Sequence, residues 1–170
     1  LTVIILIAVS VKGEAQNFSV GVQTGGGSIS GVIPSQGSFY IGLSGEISSF
    51  IAEDFSLRGN IFLSQKFEKL LPEDRRGRYY PYIRGISLQL VLRQNINELI
   101  FFEEALGPLL IQNRVYDDSK DSNAGIVFTF GAGLNVSNRF AVVASGDIAE
   151  TFGQNSVRYI MFHLQGRIFI

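Results

Sequence analysis

The sequence predicts an all-β protein, an eight-stranded antiparallel up-and-down transmembrane β-barrel. Three observations predict it. Hydropathy alternates with a period of two in one stretch after another, the mark of strands with a single apolar face. The connections between these stretches are long and short by turns, as in a barrel that crosses a membrane. Finally, 46% of the 170 residues are apolar and only 17% charged, yet after the N-terminal segment there is no helix-length apolar run.

The first segment, "LTVIILIAVSVKGEAQ", stands apart. Its apolar run from Leu1 to Val11 is shorter than the ~20 residues a membrane helix needs. Small residues follow where a signal peptidase cuts. It is expected to be a secretory signal peptide over residues 1–15, lacking its charged start, with the barrel domain over 16–170. The protein is therefore expected to be exported.

The strands follow in order. "NFSVGVQT" sets Phe18, Val20 and Val22 against Ser19, Gly21 and Gln23. "SFYIGLSGEISSF" sets Phe39, Ile41, Leu43 and Ile47 against Tyr40, Ser44 and Glu46. "FSLRGNIFLSQK" sets Phe55, Leu57, Ile61 and Leu63 against Ser56, Arg58 and Asn60. "RGISLQLVLRQ" sets Ile86, Leu88, Leu90 and Leu92 against Ser87, Gln89 and Arg93. In "LIFFEEALGPLLIQ" the adjacent Glu103 and Glu104 conflict with strict alternation and Pro108 removes a ladder donor, so a bulge is expected. "AGIVFTFGAGLN" sets Ile126, Phe128, Phe130 and Leu134 against Thr129, Gly131 and Gly133. "RFAVVASGDIAE" sets Phe140, Val142, Ala144 and Ile148 against Ser145 and Asp147. "VRYIMFHLQGRIFI" closes the chain, with Ile160, Phe162, Leu164 and Ile168 on one face and His163, Gln165 and Arg167 on the other.

Long connections are expected around Ser28–Gln36, Glu68–Arg78 and Asn113–Asn123, where the loop-borne charges gather. The short ones, such as "AEDF", "NINE" and "VSNR", then share the end that holds both termini.

Period two alone does not say which face is outside. A soluble barrel that binds an apolar ligand inside also has eight strands, but it needs a highly charged exterior. Here the polar faces are mostly Ser, Gly, Gln, Thr and Asn, which suits a cramped interior. Charges on the polar parity can neutralise one another there: Glu46, Asp147 and one of Glu103 or Glu104, Glu103 being the candidate, against Arg58, Arg93 and Arg167, with His163 nearby. Aromatics near strand ends, including Tyr79, Tyr80, Tyr82, Phe101, Phe102 and Phe140, are expected in interfacial girdles. Arg84 falls on the apolar parity but close to a long connection, within reach of lipid headgroups.

On these features, chiefly the signal peptide, the loop rhythm and the closing "GRIFI", residues 17–170 resemble the eight-stranded outer-membrane barrels of the OmpX and OmpA type. The resemblance implies the outer membrane of a Gram-negative-type envelope, a monomer, and contact with membrane lipid and lipopolysaccharide. It also implies delivery to the barrel-assembly machinery through the last strand, although that strand ends in Ile170 where the family has an aromatic residue. Only the barrel domain is expected, without the peptidoglycan-binding domain of longer OmpA-type proteins.

Motifs with chemistry are weak. His163 is the only histidine. It lacks the His-x-Ser pair of the barrel lipid deacylases, and its mid-strand place does not suit the palmitoyltransferase pattern. "GAGLNV" lacks a third dinucleotide-loop glycine, and "GGGSISG" lacks a phosphate-loop ending. "DDSKDSN" spaces Asp117 and Asp121 like a calcium loop, without that loop's glycine and final glutamate. Arg75, Arg76 and Arg78 lie among tyrosines and are candidate grips for lipopolysaccharide phosphates. Catalytic residues, metal ligands and cofactors are not expected, nor is nucleic acid at a net charge of −1.

The function this supports is a small membrane barrel with a filled interior and a structural or surface-interaction role through its long loops. The alternatives are a soluble exported barrel carrying an apolar ligand, and a lipid-modifying membrane enzyme using His163.

Overall fold

A computed structural model describes residues 18–31, 35–48, 52–66, 82–113, 121–153 and 155–170. The signal-peptide segment lies outside these. The strands are β1 (Phe18–Ser30), β2 (Gln36–Ile47), β3 (Phe55–Lys66), β4 (Tyr82–Asn95), β5 (Ile100–Asn113), β6 (Asp121–Ser137), β7 (Phe140–Thr151) and β8 (Arg158–Phe169). Each pairs antiparallel with its neighbours in sequence, and β8 pairs with β1 to close the barrel. Closure leaves no unpaired sheet edge.

The stagger of the closure sets the shape. Ladder partners followed from Phe18 through Ile47, Leu57, Leu90, Leu106, Phe128, Ile148 and Ile160 return to β1 at Ser28, ten residues further on. A barrel with that stagger has strands tilted by about 35–45° and an interior that side chains just fill.

The apolar parity faces outward. Val22, Leu43, Ile61, Leu88, Leu110, Phe162 and Leu164 are each at least half exposed, while Ser19, Gln23, Glu46, Arg58, Gln89 and Arg167 are buried. The apolar outer band is bounded at the long-connection end by Gln65, Arg84, Gln112, Glu150 and Arg158, and at the other end by Gln94 and the turn residues.

The tight turns share one end. Between β4 and β5, the Asn97 side chain accepts from Leu99 N (2.9 Å) and Ile100 N (2.7 Å), an Asx turn. Asn135 N donates to Leu99 O at 2.7 Å and so ties β6 to that turn. The β6–β7 register shifts between Asn135 and Ser137, just before the turn into β7.

Three expectations are corrected. No bulge interrupts β5: it keeps one register with β4 and one with β6. The β4 ladder lapses only opposite Gly107 and Pro108, where the proline has no N–H to give. The two glutamates are accommodated by pointing Glu103 inward and Glu104 outward. Second, the Gly-rich stretch is strand rather than loop: residues 25–30 belong to β1, so the connection is shorter than Ser28–Gln36. Third, Phe101 joins no girdle. It lies inside, 1% exposed, because the strand that buries Glu103 must bury it too. Gly133 opposes it on β6, and a Cβ there would clash with the edge of the Phe101 ring.

Candidate functional site

The interior is stacked in layers along the barrel axis. At the short-turn end Phe101, Ala141 and Val143 form an apolar plug, with Phe169 packed against it. Arg93 lies over the Phe101 ring, its guanidinium carbon 4.9 Å from the centroid.

Above the plug is an ion cluster drawn from five strands. Arg58 donates to Glu46 and to Glu103, each at 2.8 Å. Arg93 reaches Glu46 at 2.7 Å, and Arg167 donates to both oxygens of Glu103 at 3.2 and 3.1 Å. Ser56 Oγ donates to Glu46 at 2.9 Å, and Arg167 also donates to Gln165 at 2.9 Å. Three guanidinium groups thus enclose two carboxylates away from water, an arrangement stable only because each carboxylate is multiply paired.

The next layer is a relay of hydroxyl and amide groups that ends on a carboxylate. Tyr40 OH donates to Gln23 (2.9 Å), Gln23 to Asn60 (3.3 Å), and Asn60 to Gln89 (2.8 Å). Gln89 then donates to Thr129 (2.8 Å), and Thr129 to Asp147 (2.7 Å). His163 Nε2 stands 3.2 Å from Asp147 Oδ1, within ion-pair range but out of line for a hydrogen bond. The His163 ring stacks on Tyr40 and so returns the circuit to its start. Between Tyr40 and the long-connection end the interior turns apolar, with Phe62, Ile83, Leu109, Tyr159 and Met161 at its centre.

The seven interior residues singled out from the sequence, Glu46, Arg58, Arg93, Glu103, Asp147, His163 and Arg167, all face inward. They form two groups: five in the ion cluster, and Asp147 with His163 at the relay. The relay members Gln23, Asn60, Gln89 and Thr129 were legible only as polar-face residues, with nothing to single them out. Of the loop candidates, Arg75, Arg76, Arg78 and Asp117 lie outside the described residues. Asp121 opens β6, and its side chain accepts from Asn155 at 3.0 Å. Also near the long-connection end, Arg84 bonds Gln112 across β4 and β5, and Arg158 pairs with Glu150 at 2.9 Å.

Chemically, the interior is a set of paired charges and hydrogen-bonded amides. His163 is 5% exposed and meets Tyr40 on its ring face and Asp147 at its edge, and among the described residues neither ring nitrogen has a hydrogen-bond partner.

No family model matches the sequence, and no curated protein matches it. Solved structures do. The crystal structure of Neisserial surface protein A (NspA) matches with a TM-score of 0.73 at 11% identity, covering 89% of this chain and 96% of that one. That of Ail, the attachment invasion locus protein of Yersinia pestis, matches with a TM-score of 0.64, also at 11% identity, covering 91% and 99%. Both are eight-stranded outer-membrane barrels, so the fold expected from the sequence is the fold found.

Proposed function

We propose that this protein is a small integral outer-membrane β-barrel whose packed interior serves stability rather than transport, and whose outward role is structural or surface-interactive. The observation that carries this reading is the pairing of an apolar exterior band with an ionic interior. A soluble barrel needs the reverse. The band between its polar rims also suits a hydrocarbon layer of about 25 Å.

Contacts with other molecules are assigned to the long-connection end. Arg75, Arg76 and Arg78 are proposed to meet lipopolysaccharide phosphates, with Asp117 and Asp121 the acidic counterpart. The last strand, β8, is proposed as the segment read by the barrel-assembly machinery. A non-enzymatic role is favoured by the burial of His163 on both sides.

The test is heat-modifiability. A signal-bearing version is expressed, the outer-membrane fraction is isolated, and samples are run on SDS gels with and without boiling. The reading requires a band released only by detergent that changes mobility on boiling. A protein released by salt alone, with no mobility change, would overturn it.

A further inference from the structure

Glu104 is anomalous. Among the described residues it is the one charged side chain within the outer apolar band, bracketed along β5 by Phe102 and Leu106. It lies about 10 Å along the axis from the first residue of β5, inside the band rather than at its rim. Among the described residues it makes no hydrogen bond or ion pair. An isolated carboxylate is costly in hydrocarbon, so its place calls for a cation.

It also stands at the mouth of a groove of about 740 Å³ on the outer wall. The floor follows one ladder row: Gln94, Phe102, Ala132, Ala144, Leu164 and Thr24 are successive cross-strand partners from β4 to β1. The row above it is Glu104, Phe130, Gly146 and Phe162, and the rings of Phe130 and Phe162 lean together over Gly146 to make the upper wall. Because of the barrel's stagger, the row starts at the short-turn rim and climbs obliquely. Its five interstrand steps span about 24 Å, enough for an extended acyl chain.

We propose that this groove binds a membrane lipid with a primary-ammonium headgroup from the leaflet on the short-turn side. The proposal rests on the membrane reading above. Its ammonium would meet Glu104 and the Gln94 amide, while one acyl chain would lie over Ala132 and Ala144 beneath the Phe130 and Phe162 rings. Charge complementarity selects this occupant. A second copy docked about a two-fold axis on the groove would instead bring two Glu104 carboxylates together with no cation between them. A quaternary ammonium lacks the N–H donors that a carboxylate accepts from.

The experiment is native mass spectrometry of the detergent-solubilised protein, offered equimolar phosphatidylethanolamine, phosphatidylcholine and phosphatidylglycerol. Wild type is expected to retain phosphatidylethanolamine over phosphatidylcholine by roughly tenfold. Glu104→Gln should erase that preference, and Ala144→Phe, which fills the floor from outside, should cut retention of both lipids. Equal retention of the first two lipids by wild type, an unchanged preference in Glu104→Gln, or a lipid-independent dimer would each overturn the proposal. The same samples run unboiled and boiled separate the two claims. If the mobility change is present but lipid preference absent, only the groove assignment fails. If the mobility change is absent, the membrane reading itself fails.

Discussion

Tyr40 and His163 stack with ring centroids 5.1 Å apart and planes 21° apart, and they do so across a glycine. Gly25 on β1 is the ladder partner of Tyr40 on one side and of His163 on the other. A Cβ at this position would run into the β8 backbone at Phe162 and His163. The contact that closes the relay therefore depends on the residue that has no side chain.

Gly25→Val is expected to destabilise the barrel by at least the about 1–3 kcal/mol typical of overpacking. Val22→Ala, on the same strand but facing outward, should leave the interior intact. The check is the temperature at which the unboiled gel band converts to the unfolded one, measured for both variants. Equal conversion temperatures would mean that β1 and β8 can separate without cost.

In the ion cluster, removal of a carboxylate and removal of a guanidinium should differ. Glu103→Gln leaves three arginines facing Glu46 alone, and breaking a buried pair in this way costs about 3–5 kcal/mol. Arg167→Met leaves Arg58 and Arg93 balanced against Glu46 and Glu103. Arg167 also has two nitrogens, Nε and Nη1, without a hydrogen-bond partner among the described residues, so its loss should cost well under that. Denaturant unfolding in lipid vesicles measures both. A larger penalty for Arg167→Met would show that the guanidinium, not the charge balance, holds the layer.

The relay predicts a contrast between two hydroxyls on adjacent strands. Thr129 receives from Gln89 and donates to Asp147, so Thr129→Val strands a donor and an acceptor. Each buried unsatisfied group costs about 1–3 kcal/mol. Ser145 Oγ has no hydrogen-bond partner among the described residues, so Ser145→Ala should be nearly silent. The unfolding midpoints of the two variants decide it; similar losses would remove the relay as a stabilising element.

How far the sequence led depends on the kind of information each feature needs. Parity is written within a single strand, so the polar set from Ser19 to Arg167 could be read from alternation alone. The scarcity of charge on that parity then placed the set inside. Glu103 and Glu104 were not separable in this way, since only pairing with β4 and β6 shows that β5 has no bulge; once Glu103 points in, Phe101 must follow. The end of β1 was missed because Gly25, Gly26 and Gly27 carry no side chains to alternate. The relay was invisible because its members come from different strands, and their common level is fixed by the ten-residue stagger, a property of the closed sheet.

The outer wall offers the sharpest check on which solvent it meets. Leu88 lies midway along the apolar stretch of β4, while Ile160 lies close to the long-connection rim, next in the outward row to Arg158. If the wall faces hydrocarbon, Leu88→Arg should cost about 2–4 kcal/mol and Ile160→Arg about 0–1 kcal/mol, because the penalty for a cation falls steeply with distance from the bilayer centre. If the wall faced water, both would be tolerated alike, since an exposed leucine and an exposed isoleucine surrender similar burial. The two variants are folded into vesicles and unfolded with denaturant, and the difference between their penalties is the quantity to read. A gap of about 2 kcal/mol or more places Leu88 deep in lipid. Equal penalties would detach the apolar band from the membrane, and the interior ion cluster would then have to be explained in a protein surrounded by water.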